Sequence, residues 1–251
     1  VLPPPVHAAL ELAAFTLAGL VYWRAGNAAT QPPQRLTRWG LLAGAALGAA
    51  LGARGLYVLQ YWQALQGQPL SVWLGGKTIV GGMLGAVVGV EVAKGLLGWR
   101  RSTGDGFVLP LIIAIVVGRV GCQLAGLSDL TYGNVTRLPW GWNYGDGLRR
   151  HPTAAYEILG VGVLALLVYR GPLARRLKAT PGDRFRAFLA GYCLLRLGLE
   201  CLKPPYGPVA AGELPPQFLG PLSAIQWACV AGLAYYAQAI RRWSMQGVQR
   251  A

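Results

Sequence analysis

Arg54, Arg119 and Arg196 each sit inside a long apolar run, and so do Glu11, Glu91, Glu157 and Glu200. An ionisable group in such a setting is costly and marks function by default. Arginine stays charged and offers a planar fork that matches a phosphate with paired hydrogen bonds. A carboxylate beside it either pairs with it or orients it. Arg196 and Glu200 are four residues apart, one helical turn, hence on one face. His151 is one of two histidines and carries an unperturbed pKa near neutrality, so it is a candidate proton acceptor. Cys122, one turn from Arg119, reads as a small packing residue, the usual role of a buried cysteine. Together these groups suit binding of a phosphate-bearing molecule, with or without proton transfer. The four cysteines form no CxxC pair, and no nucleotide motif occurs, so neither a metal nor a cofactor is expected.

The elements that must position these side chains are membrane helices. Hydrophobic residues make up 54% of the 251-residue chain and charged residues only 13%, with a mean hydropathy of +0.40. So apolar a chain cannot cover its surface with polar groups unless lipid is the solvent. Seven runs approach the roughly twenty residues that cross a bilayer: 6–23, 39–60, 78–98, 107–126, 154–170, 185–202 and 221–240. The first has no basic flank before it and no A-x-A site after it, so it reads as a span and not a leader. The expected fold is all-α: a polytopic membrane protein of about seven transmembrane helices, residues 1–251 forming one integral membrane domain. The net charge of +14 does not imply a nucleic-acid partner, because the charges flank the apolar runs.

Orientation follows from lysine and arginine. The loops after runs one, three and five, with the C-terminal tail, carry fifteen; the opposite side carries five. This bias predicts the N-terminus outside and the C-terminus in the cytoplasm of a bacterial plasma (inner) membrane. It places Arg54, Arg119, Glu157, Arg196 and Glu200 together just below the outer surface. At that depth the obvious phosphate belongs to an outer-leaflet anionic phospholipid. The alternative is a set of internal ion pairs holding the bundle.

Two glycine ladders, Gly40-Gly44-Gly48-Gly52 and Gly81-Gly85-Gly89, repeat every four residues and suit close helix packing. The longest connection, 127–153, is extracytoplasmic in this topology. Its aromatics Trp140, Trp142 and Tyr144 favour an ordered, interfacial loop.

Several segments resemble the bacterial prolipoprotein diacylglyceryl transferases. GGKTIVGGMLGAVVGV (75–90) looks like that family's glycine-rich third-helix motif, and GRVGCQLAGLSDLTYG (118–133) is similar to its arginine signature. RHPTAAYE (150–157) resembles its R-H-P-[ST]-x-x-Y-E motif. FLAGYCLLRLGLECLKPP (188–205) and LSAIQ (222–226) match its last two helices in kind and order. The resemblance runs from about residue 70 to 240.

The family moves a diacylglyceryl group from phosphatidylglycerol to the thiol of a lipobox cysteine in a secreted preprotein, and glycerol phosphate leaves. The resemblance implies that Arg119 and Arg196 hold the lipid phosphate and stabilise its growing charge. It implies substrate contacts from Gly118, Gly121, Gly126, Gly133, Tyr156, Glu157 and Glu200, with Arg54 as a further basic contact. There are departures: Val80 stands where the family carries a histidine, Cys122 and Ala125 where it carries asparagines, and Leu127 near a glutamate position. The donor half of the site looks retained and the thiol-activating half altered. With the family histidine replaced, the expected base is His151 or the lipid phosphate itself. The readings left open are a paralogue using the same donor with another acceptor, and a non-catalytic lipid-binding accessory protein. A carrier fits less well, because no inverted repeat occurs.

Overall fold

The computed structural model describes residues 4–25, 35–129, 131–204 and 220–248. Leu130 of the 127–153 loop and Arg250 of the tail lie outside them. Helix accounts for 76% of the structure, with almost no strand. Every apolar run of the sequence forms a helix: α1 (Pro4–Ala25), α2 (Arg35–Gln60), α5 (Ile79–Leu97), α6 (Val108–Ala125), α7 (Thr153–Tyr169), α9 (Asp183–Glu200) and α10 (Ala224–Val248). Short helices connect them: α3 (Trp62–Leu65), α4 (Leu70–Gly75) and α8 (Gly171–Leu177). Three helical stretches, 35–60, 79–97 and 104–125, are long and apolar enough to cross a membrane on their own. A fourth candidate is the bent pair α7–α8, broken by 63°. Charge within α9 interrupts its apolar character, since Arg196 and Glu200 sit in its last two turns.

The chain divides into two compact units. The first comprises 1–30, 102–204 and 233–251; the second comprises 31–101 and 205–232. In the second unit α2 and α5 pack along their glycine ladders. A Cβ on Gly44 would lie 2.7 Å from the Gly89 carbonyl oxygen, and one on Gly48 would collide with the Gly85 carbonyl. The ladders are therefore the means by which two backbones reach contact. Thr78 fixes the start of α5. Its side chain accepts from Gly81 N at 3.2 Å and donates to Ala53 O on α2 at 3.3 Å. Gly98 closes the helix in the left-handed conformation, φ 66°, where glycine escapes the Cβ penalty.

In the first unit α1 and α7 each pack on α6, and α7 packs on α9. Asp105 accepts from Gly182 N at 2.7 Å and Phe185 N at 2.9 Å, so its carboxylate caps the start of α9 from 77 residues away. The outward faces of the helices stay apolar: Phe15 is 69% exposed and Leu159 68%. Patches of that kind are a liability in water and the normal state in lipid.

The long loop is ordered, as its aromatics predict. Strands β1 (Trp142–Asn143) and β2 (Arg149–Arg150) pair antiparallel, Trp142 opposite Arg150. Asn143 turns the hairpin by accepting from Gly145 N at 2.9 Å and Gly147 N at 3.2 Å. A second layer joins Gly133 N to His151 O at 2.8 Å, His151 N to Asn134 O at 3.0 Å and Asn134 N to Leu202 O at 2.7 Å. The loop thus ties the end of α6, the start of α7 and the end of α9.

Candidate functional site

Three helices of the first unit each bring charge to one buried point. Glu157 enters from the first turns of α7, only 1% exposed. Its Oε2 accepts from Arg119 Nη2 of α6 at 3.1 Å and from Arg196 Nη1 of α9 at 2.9 Å. Its Oε1 accepts from the Tyr192 hydroxyl at 2.6 Å. Arg196 also donates through Nη2 to Glu200 at 2.8 Å, and Arg119 donates through Nη1 to the Cys122 sulfur at 3.7 Å. Both guanidiniums are buried, and the Nε of each has no hydrogen-bond partner among the described residues.

The helix period explains the assembly. Tyr192, Arg196 and Glu200 recur every four residues and form one stripe of α9. Arg119 and Cys122 lie one turn apart on α6. One carboxylate shared by two guanidiniums ties three helices together, which is the set of internal ion pairs that the sequence offered as the alternative to a lipid-phosphate site. Arg54 is exposed on α2 and belongs to the second unit, as does Val80, which is buried on α5. The cluster is built from first-unit residues alone.

The remaining expected residues frame the cluster's chain segments. Gly121 is buried in α6, whereas a side chain at Gly118 would meet nothing within 4 Å. Gly126 ends α6 at φ 72°. Gly133 permits a close crossing: a Cβ there would lie 2.6 Å from His151 Cβ and 2.8 Å from Leu202 O. His151 and Tyr156 meet, His151 Nδ1 lying 3.3 Å from the Tyr156 hydroxyl, which also accepts from Trp140 Nε1 at 2.9 Å. Thr153 Oγ1 donates to Thr131 O, which anchors the first turn of α7 to the loop.

Tyr192 was not singled out by the sequence reading, although its spacing from Arg196 carried the signal. Two contacts of the 127–153 loop were also unforeseen. Buried Tyr144 donates to Gln123 Oε1 at 3.1 Å, pinning the hairpin to α6, and burial pushes its phenol above the usual range. Arg150 grips Asp146 through Nε at 3.1 Å and Nη2 at 2.7 Å. Those hydrogen bonds hold the Asp146 carboxyl below its ordinary value. Such pairs are dispersed in sequence and follow from loop geometry, not from any periodicity.

Buried arginines clustered on apolar helices beneath an ordered polar loop define a membrane-embedded, anion-handling helical protein. Comparison with known proteins makes this specific. The family model for prolipoprotein diacylglyceryl transferase matches residues 6–240, and the chain belongs to that family. It is 31% identical over 217 residues to the phosphatidylglycerol–prolipoprotein diacylglyceryl transferase of Geobacter sulfurreducens, covering 81% of this chain and 80% of the relative. The protein of the same description from Aromatoleum aromaticum is 34% identical, covering 79% and 73%. That from Methylibium petroleiphilum is 32% identical over 248 residues, covering 89% and 88%.

Proposed function

We propose that this protein is a phosphatidylglycerol–prolipoprotein diacylglyceryl transferase of the bacterial inner membrane. It acts as one multi-pass domain of seven spans, with the N-terminus and the 127–153 loop outside and the C-terminus in the cytoplasm. Its substrates are phosphatidylglycerol and a secreted preprotein carrying a lipobox cysteine. The observation that carries the reading is the pair of buried guanidiniums on Glu157, each with an unmet Nε donor, in a chain of this family.

The chemistry asked of the site is displacement at the glycerol carbon of the donor. A thiolate sulfur forms the S–C bond, the C–O bond to phosphate breaks, and glycerol phosphate departs with the electron pair. Arg119 and Arg196 neutralise the phosphate and gain strength as its charge rises, the form of stabilisation that accelerates a step. Glu157, Glu200 and Tyr192 are positioning residues. They lock both forks in a desolvated site, where preorganised donors are most effective. Tyr156 and the backbones at Gly118, Gly121, Gly126 and Gly133 shape the donor's surroundings. His151 takes the thiol proton. A thiol has a reference pKa of about 8.5, so a base near neutrality matters. The Tyr156 hydroxyl engages its Nδ1, which leaves Nε2 for the acceptor.

The test is transfer from labelled phosphatidylglycerol to a lipobox peptide by the purified protein. Arg119→Ala and Arg196→Ala should each abolish it, and lysine at either position should rescue poorly for lack of the fork. His151→Gln should depress turnover and spare donor binding. Retained lipid binding without transfer by the wild type would favour the accessory reading. Transfer to a different acceptor would favour the paralogue.

A further inference from the structure

His151 is held in two different ways. Its backbone is fixed on both sides: the N donates to Asn134 O at 3.0 Å, and the O accepts from Gly133 N at 2.8 Å and Thr153 N at 2.9 Å. Its ring depends on one neighbour. Among the described residues, the only side-chain hydrogen-bond partner of the imidazole is the Tyr156 hydroxyl, 3.3 Å from Nδ1. The two rings stand edge to face, 6.0 Å apart at 63°. That separation lies just beyond the usual N–H···O range of about 2.7–3.2 Å, so the bond depends on where the hydroxyl is kept. Tyr156 stands at the start of α7, its backbone N donating to Pro152 O at 3.0 Å. Its hydroxyl accepts from Trp140 Nε1 at 2.9 Å. Trp140 arrives from a separate part of the loop, in a turn closed by Gly141 N on Leu138 O at 2.9 Å. The hairpin that follows is pinned to α6 by Tyr144 on Gln123. With 59% of its surface exposed, Trp140 adds little burial to the fold. What it does supply is a directed N–H, since an indole is a donor only.

We propose that Trp140 is a positioning residue for His151, acting through Tyr156. The proposal rests on the transferase reading and on His151 as the thiol base. For Nε2 to take the thiol proton, the ring's own hydrogen must sit on Nδ1, and the bond made at one nitrogen decides which nitrogen carries it. A phenol oxygen has two lone pairs. Trp140 N–H takes one, and His151 Nδ1–H takes the other. The phenol hydrogen then turns toward solvent, to which Tyr156 is half-open. The indole holds the phenol where Nδ1 can reach it, and the phenol keeps the imidazole in the orientation and tautomer that present a bare Nε2 to the thiol. Without the indole, the phenol and then the imidazole gain freedom, and the ring divides between its two tautomers. The 127–153 loop thereby contributes to turnover, while the donor is held by the arginines of α6 and α9.

The experiment uses the full-length protein in detergent. It measures kcat for transfer to a lipobox peptide, phosphatidylglycerol binding, and the nitrogen-15 spectrum of the His151 ring. His7 is the only other histidine, so a His7→Gln background leaves one imidazole to observe. Trp140→Phe keeps an aromatic ring and removes the donor. It should lower kcat by about threefold to tenfold, the scale of one neutral hydrogen bond, and leave donor binding unchanged. Tyr156→Phe should do at least as much. The double variant should be no worse than Tyr156→Phe alone, because two residues on one path do not add. The spectrum should show the hydrogen on Nδ1 in the otherwise wild-type ring, and a shift toward Nε2 in both single variants. Unchanged kcat in Trp140→Phe, additive losses in the double variant, or a wild-type ring with its hydrogen on Nε2 would overturn the assignment. So would a loss of donor binding as large as the loss of kcat, which would make Trp140 a structural residue only. Full transfer by His151→Gln would sink the base reading and with it the effect on kcat. If the tautomer shift persists in that case, Trp140 still positions the ring.

Discussion

Glu157→Gln removes one charge and almost no volume, and it isolates what the shared carboxylate does. In the wild type Oε2 takes donors from two guanidiniums at 3.1 and 2.9 Å, on a side chain 1% exposed. Glutamine retains shape but leaves Arg119 and Arg196 facing each other across a neutral amide. Breaking a buried pair by removing one partner costs roughly 3–5 kcal/mol, because the remaining charge is stranded. Here Arg119 is stranded, while Arg196 keeps its bond to Glu200, so the lower half of that range applies, about 3–4 kcal/mol. Glu200→Gln is the internal control. Glu200 pairs with Arg196 alone, one turn away on the same helix and 10% exposed at the side chain, and its loss leaves Arg196 still bound to Glu157. Its cost should be about 1–2 kcal/mol, the scale of a single charged hydrogen bond. Thermal and denaturant unfolding in one detergent would rank the two. Added phosphatidylglycerol should restore more stability to Glu157→Gln than to Glu200→Gln, since the lipid phosphate supplies the missing negative charge. Equal losses for the two variants, or a Glu157→Gln protein as stable as wild type, would refute the view that one carboxylate carries the cluster.

Two further outcomes test the scaffold. Gly48→Leu should separate α2 from α5, because any Cβ there collides with the Gly85 carbonyl; overpacking costs typically 1–3 kcal/mol or more, and a disulfide-trapping assay between cysteines placed on the two helices would report the loss of contact. Reporter fusions should place residue 140 outside and residue 178 in the cytoplasm; a cytoplasmic signal from residue 140 would invert the proposed topology.

Much of the helical layout was legible because lipid imposes a strict length and polarity rule on spanning segments. All seven runs fold as helices, six of them within four residues of their expected ends, while α10 continues eight residues further, to Val248. The runs differ in how well they meet that rule alone. α9 falls short because it carries the site: Arg196 and Glu200 occupy its last turns, and Asp183, Arg184 and Arg186 its first. A segment that spends apolar positions on chemistry loses part of the signal by which a span is recognised. The break between α7 and α8 shows the same limit, since Gly171 at φ 77° turns the chain without interrupting the apolar composition before it.

The site was legible in its charges and hidden in its connections. Periodicity joins Arg196 to Glu200, but nothing in the spacing says that Glu157 will serve Arg119 and Arg196 through one oxygen. That contact depends on how three helices cross, a tertiary fact. The loop is the extreme case: Trp140, Tyr156 and His151 form a chain of contacts through a hairpin whose pairing spans 134–151. The replacements relative to the family pattern acquire physical meaning at this level. Cys122 does not empty the position of an asparagine in the signature, because its sulfur still accepts from Arg119 at 3.7 Å. Val80 is buried on α5 in the second unit and brings no titratable group.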